Sequence, residues 1–201
     1  MKKLTMLLIF LTTIQLSFAA DTPTYVRIDY GMGEFKSDKY DSLNSKPKGS
    51  TIGASIGSKM SYVELGVFYR KMSLEADITH DGSANKIIHD GKTFGVDMNV
   101  FLNNHLSLKL GYAFNNYKEK LGTAVSAPVL SAIKTSYSLE ETHTTSNIFY
   151  GANLDIFGAK KFDIYTSILH FPMGDSKSAT TVQAGIRMYM DLSFSDFFGM
   201  N

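Results

Sequence analysis

The chain has 201 residues and no cysteine, with 20 basic and 19 acidic side chains and a net charge of +1. The absence of cysteine excludes disulfides and a lipidated cysteine, and the balanced charge gives no broad attraction to nucleic acid. Phenylalanine (14) and tyrosine (11) are plentiful and proline (4) is scarce, and there is no dinucleotide, phosphate-loop, zinc-protease or calcium-loop motif.

Residues 1–19 read as a secretory signal peptide. Lys2 and Lys3 precede an apolar run from Leu4 to Ile14, and Ser17-Phe18-Ala19 supplies the small residues at the cleavage site. The run is shorter than the roughly 20 residues of a spanning helix. The mature chain, 20–201, is expected to be exported and to form one domain.

From there the sequence alternates with the period of a β-strand. Val26, Ile28, Tyr30 and Met32 alternate with Arg27, Asp29, Gly31 and Gly33. Ile52, Ala54 and Ile56 then alternate with small residues, and Val63, Leu65, Val67 and Tyr69 with Glu64, Gly66, Phe68 and Arg70. Phe94 to Leu102 sets its even residues against Gly95, Asp97, Asn99 and Phe101, and Leu106 to Phe114 sets its own against Ser107, Lys109, Gly111 and Ala113. Three more strands run from Ile148 to Ile156, Phe162 to Leu169 and Val182 to Phe194, the seventh with a partly apolar second face. Short turns near 57–60, 103–105 and 158–161 alternate with long polar loops at 35–50, 79–92, 118–142 and 172–180. An even strand number with all long loops at one end predicts an all-β, eight-stranded antiparallel up-and-down barrel that spans a membrane.

Aromatic placement gives the orientation. With the apolar face outward, Tyr30, Tyr69, Phe94, Phe114 and Tyr150 fall near the long-loop ends of their strands, and Phe162 and Phe194 near the opposite ends. Two girdles are expected of a lipid-facing surface. The inward face then carries Arg27, Asp29, Glu64, Arg70, Asp97, Lys109, Asp155, Asp163, Arg187 and Asp191. In so narrow a lumen these charges must pair, with inward glycines such as Gly53 and Gly66 making room. Closure of the last strand on the first is expected to bring Arg187 and Asp191 beside Asp29 and Arg27, with Arg27 and Asp191 paired.

On these features the chain resembles the small eight-stranded outer-membrane barrels of Gram-negative bacteria, the OmpA-transmembrane, OmpX and OmpW-like group. Gln183, Gly185, Met188 and Met190 match the spacing of that group's last-strand assembly signal, with methionine where aromatics are usual and a tail continuing to Asn201. The resemblance implies the bacterial outer membrane as location, lipid and lipopolysaccharide as surroundings, contact with the barrel assembly machinery, and a monomer without metal or cofactor.

Chemistry in the loops has two readings. His80-Asp81-Gly82 and His89-Asp90-Gly91 are either a metal or catalytic pair or two turn signals, and the turn reading is favoured. His143 and His170 lie at heights where each could serve a serine such as Ser146 or Ser167, but the His-x-Ser-Asn pattern of lipid A deacylases is missing. The apolar stretch 123–133 either presents a surface to an extracellular ligand through loop 118–142 or folds over the mouth, and Lys36, Lys39, Lys46 and Lys48 lie near lipid phosphates or in solvent. The expected function is a non-enzymatic structural or adhesive surface barrel. Small-solute or hydrophobic-molecule passage of the OmpW kind is the alternative, and a lipid A-modifying enzyme ranks last.

Overall fold

A computed structural model describes residues 23–42, 45–80, 83–122, 126–137, 139, 142–159, 161–174 and 176–191. The elements are β1 (Thr24–Lys36), α1 (Asp38–Ser42), β2 (Lys48–Met60), β3 (Val63–His80), β4 (Ser83–Phe101), β5 (Leu106–Leu121), α2 (Ala127–Tyr137), β6 (His143–Gly158), β7 (Phe162–Gly174) and β8 (Lys177–Met190). The strands close in chain order into one antiparallel barrel, and β8 returns to β1 with Thr24 opposite Met190 and Lys36 opposite Ser178. The expected signal peptide and the tail from 192 onward, Phe194 included, lie outside the described residues.

The outward face of the belt is apolar. Ile28, Tyr30, Ile52, Tyr69, Phe94, Leu110, Tyr150, Ile168 and Ile186 are all exposed. Tyr69 stands opposite Phe94 and Phe94 opposite Phe114, with the two phenylalanine rings stacked at 5.1 Å. At the other end a register shift between Asp155 and Phe157 turns Ile156 and Phe157 outward together, and Phe157 meets Phe162 at 5.8 Å. Exposed apolar surface of this extent around a closed sheet belongs in lipid. The short turns are tight: Ser61 takes a φ of 33°, and the Asn103 side-chain oxygen accepts the amides of His105 and Leu106.

Two of the expected long loops are strand. β3 and β4 run for 18 and 19 residues, well beyond the roughly 9–11 that cross a membrane. Span 79–92 is therefore mostly the top of a projecting hairpin, with His89-Asp90-Gly91 inside β4. Span 172–180 is a tight reversal between β7 and β8, with Gly174 and Ser176 at φ of 77° and 60°. The ends of span 35–50 belong to β1 and β2 with α1 between them, and span 118–142 continues β5 to Leu121 and then forms α2.

The reason is a reversal of polarity along unbroken strands. In β3 the outward Val67 and Tyr69 are followed by outward Lys71, Ser73, Glu75 and Asp77, while inward Arg70 gives way to buried Met72, Leu74, Ala76 and Ile78. Side-chain direction keeps its period of two, and only the surroundings change. Below the girdle the barrel is apolar outside and charged inside. Above it the barrel is polar outside and apolar inside.

Candidate functional site

Three layers fill the lumen. Arg187, lowest, has its Nη2 2.7 Å from Asp163 and 2.9 Å from Asp155, and its Nε 3.4 Å from Glu64. The Tyr189 hydroxyl lies within hydrogen-bond distance of both Glu64 and Asp163, and Lys59 donates to it at 3.0 Å. Asn153 donates to Asn99, and Asn99 to Glu64, at 2.9 and 3.0 Å. In the middle layer Asp97 receives Arg27 at 2.8 Å and Lys109 at 2.7 Å, and Arg27 also donates to Ser55. Uppermost, Arg70 pairs with Asp29 at 2.9 Å and donates to Gln183. Gly53 makes room for that pair, since a Cβ there would fall 2.6 Å from the Asp29 carboxylate and 2.8 Å from the Arg70 guanidinium.

Arg27 and Arg187 are opposite each other in the first–last register. Like charges side by side are unfavourable, and the two arginines lean to different acids. Glu64 lies between them, 4.0 Å from Arg27 and 3.4 Å from Arg187. The expected Arg27–Asp191 pair is corrected by this register. β8 ends at Met190, and Asp191, at the rim and 82 % exposed, pairs with Lys161 at 3.0 Å. Asp191 is not part of the lumen network. Of the assembly-signal positions, Gln183 points inward to Arg70, Gly185 leaves space for Tyr165, and Met188 faces outward.

Above Arg70 the lumen turns mainly apolar, with His89, Asn115 and Glu119 among its buried polar groups. Phe68, Phe149 and Phe171 form a ring layer, with 5.1 Å between the first two and 4.8 Å between the last two. An apolar core continues upward through Met72, Leu74, Ile78 and Ile87 to Tyr40 of α1 and Ile133 of α2. Helix α2 thus seats Ile133 in the mouth and packs Tyr137 against the same core, and Tyr137 donates to the Thr79 carbonyl at 2.6 Å. Val129 stays exposed.

The histidines do not form the weighed serine pairs. His143 stacks near Tyr117 at 4.9 Å, while Ser146 is bonded to Tyr112. His170 faces outward and meets Thr180 at 3.0 Å, while Ser167 is buried on the inward face. His89 is fully buried between Phe35 and Tyr117, with Glu119 3.7 Å away. Among the described residues no group of three or more His, Cys, Asp or Glu is placed to hold a metal.

Outside, a basic row begins where the lipid-facing rings stop. Lys71 stands directly opposite Lys92, one outward position beyond the Tyr69–Phe94 pair, and Lys118 stands opposite Asp90. All three lysines are exposed, and among the described residues none makes an ion pair. Asp90 is taken instead by Lys120 at 2.6 Å and Ser73 at 3.0 Å. Burial tends to raise its carboxyl, but the hydrogen bonds from Lys120 and Ser73 and the charges of Lys120 and Lys71 outweigh that and hold it below its ordinary value. Of the first-loop lysines, Lys39 bonds Glu119 and Lys48 lies 3.6 Å from Glu34. The row of Lys71, Lys92 and Lys118 is hidden in the sequence because Lys71 lies just past the alternation that ends at Arg70, while Lys92 and Lys118 fall at the ends of spans that read as loops.

No protein-family model and no curated protein matches the sequence. Solved structures do. The attachment invasion locus protein Ail of Yersinia pestis, in complex with the heparin analogue sucrose octasulfate, is 16 % identical over 85 % of this chain and 100 % of its own, with a TM-score of 0.51. Neisserial surface protein A is 13 % identical over 82 % and 96 %, with a TM-score of 0.49. OprG of Pseudomonas aeruginosa is 8 % identical over 84 % and 97 %, with a TM-score of 0.46. The fold is that of the small eight-stranded barrels of the bacterial outer membrane, and the lipid-facing belt described above fits the chain to such a membrane.

Proposed function

We propose that this protein is a non-enzymatic surface barrel, closed to solutes, whose external half engages anionic groups. Those groups are the phosphates of surrounding lipopolysaccharide and the sulfates or phosphates of extracellular polymers. The observation that carries the reading is Lys71 facing Lys92 just above the aromatic girdle with no acid between them. Two like charges directly opposite on neighbouring strands are destabilising by themselves, and a bound anion turns that cost into attraction. Lys118 extends the row onto β5. Ail was solved with a sulfated ligand, which is the same chemistry.

Solute passage has less support, because the lumen is filled by paired charges below and by Phe68, Phe149 and Phe171 above. Residues 1–19 serve as the export signal in this reading, and Gln183, Gly185, Met188 and Met190 as the last-strand signal for the assembly machinery.

Heparin-column retention and lipopolysaccharide binding by the protein in lipid nanodiscs test the proposal. Lys71→Glu with Lys92→Glu should abolish both while the barrel stays folded. Equal retention of wild type and variant would overturn it.

A further inference from the structure

We infer that the upper edge of β6, residues 144–148, is a docking edge for an extended segment of another protein, which adds to it as one more strand. The ladder between β6 and β7 stops at Tyr150 opposite His170, although β6 continues up to His143 and β7 up to Gly174. On their far sides the pairing goes on, with β5 as far as Tyr117 opposite His143 and with β8 as far as Gly174 opposite Lys177. The wall therefore parts at this seam, just above the aromatic girdle.

Pro172 accounts for the place. Asp155 donates its N–H to the His105 carbonyl on the β5 side. Backbone direction alternates along a strand, so the odd residues of β6 bond to β5 and the even ones point towards β7. Ile148 is two residues above Tyr150, and in the same register Pro172 stands across from it. Proline has no N–H to give and is tolerated only at such edges. Above that point the N–H and C=O groups of Thr144, Ser146 and Ile148 face away from β5, and among the described residues nothing pairs with them.

Exposed edges are ordinarily blunted by charge, proline or a cover. Another projecting edge of this barrel is covered. Above Glu75, the last residue of β3 with a β2 partner, the Ser45 hydroxyl donates to the Asp77 carbonyl at 2.9 Å and Tyr137 to the Thr79 carbonyl at 2.6 Å. The β6 edge has no such device. From Thr144 to Tyr150 it carries no charge, no glycine and no proline, and Thr144, Thr145, Ile148, Phe149 and Tyr150 are residues that favour strands.

The surroundings of the edge select its partner. Main-chain bonds to Thr144, Ser146 and Ile148 accept any extended backbone, and the side chains on either face decide which one stays. On the inner side lie the stacked rings of Phe149 and Phe171 and the buried Met173, so inward residues of the segment meet apolar surface. On the outer side Lys118 of the adjacent β5 is exposed and, among the described residues, without an ion pair, which favours acidic residues. A second copy is ill suited, since it brings its own Lys118 to the same place, like charge against like. The occupant is a strand of a different protein that alternates apolar with acidic or hydroxyl residues.

The test uses the full-length protein in lipid nanodiscs and a synthetic peptide of about nine residues that alternates valine with glutamate and threonine. Without peptide, the amides of Ser146 and Ile148 should exchange about tenfold or more faster than those of Thr145 and Asn147, which bond to β5. Saturating peptide should slow Ser146 and Ile148 by about tenfold or more, and a fully N-methylated counterpart should leave them unchanged. Ser146→Pro deletes one edge donor and no bond to β5, and should abolish binding of the unmethylated peptide, with the amides of Leu108 and Leu110 reporting that the barrel stays folded. Slow exchange of Ser146 and Ile148 before any peptide is added would overturn the proposal, because the edge is then already occupied, by a second copy or otherwise. No slowing on adding peptide would overturn it too. So would equal binding of the two peptides, since the lysines and not the edge would then hold them. Neither result bears on heparin retention, which depends on Lys71 and Lys92.

Discussion

The two halves of the barrel are built from the same eight strands and obey opposite rules. In the belt, Leu108 and Leu110 point out to lipid while Lys109 is buried against Asp97. Higher on the same β5, Lys118 and Lys120 point out to water while Tyr117 is buried. The backbone does not change between them. The medium outside decides which residue type each face must carry, and the lumen takes the complement. A strand that leaves the membrane must exchange its two faces, and the girdle of Tyr69, Phe94 and Phe114 marks the exchange.

The largest break in this comparison comes from the lower lumen. Arg187→Met leaves Glu64, Asp155 and Asp163 without their shared cation and should cost about 3–5 kcal/mol by urea unfolding in vesicles. In the external half the corresponding damage is a cavity. Leu74→Ala, at a fully buried site, should cost about 2–5 kcal/mol. Amide exchange should then rise between 72 and 78 and leave the belt protected, and a rise throughout the barrel would mean the halves are not separable.

Outward substitutions sharpen the contrast. Leu110→Arg places a charge in lipid and should cost about 2–4 kcal/mol. The converse change on the same strand, Lys118→Leu, should stay within about 0.5 kcal/mol, since it alters a solvated surface. A small effect that depends on pH is expected at Asp90. Its depressed carboxyl contributes stability that is full above the unfolded value, near pH 3.9, and is lost as pH falls through the lower folded value. Its partner Lys120 is half exposed, so the effect should stay below about 1 kcal/mol. Comparing wild type and Asp90→Asn from pH 5 down to pH 2 should show the difference vanish at the acid end.

The belt was legible in the sequence because its alternation is strict and its aromatics sort by height. The external half was legible too, but under a different rule. Lys71-Met72-Ser73-Leu74-Glu75-Ala76-Asp77-Ile78 alternates as cleanly as any belt strand, yet its polar residues suggest a loop to anyone expecting outward residues to be apolar. His89-Asp90-Gly91 looks like a turn because Asp-Gly favours one, and cross-strand pairing with Leu74, Ser73 and Met72 on one side and with Glu119, Lys118 and Tyr117 on the other keeps it extended. That the lumen charges pair was legible, but their partners were not. Which acid reaches Arg27 depends on the closing register and on contacts across the lumen, and neither is local in sequence. Asp191 failed for a simpler reason: it lies one residue past the end of β8, where the barrel rim gives way to water.

The pairing of Thr24 with Met190 also bears on how the protein comes to be folded. The first strand to be made waits for the last, so barrel closure has a large loop to bridge and belongs at the slow end of folding rates. Until β8 arrives, Glu64 lacks Arg187 and Gln183 is not there to receive Arg70. A half-made barrel would therefore hold unneutralised carboxylates against lipid. Closure of β8 on β1 therefore completes the strand ladder and the charge pairing of the lumen together.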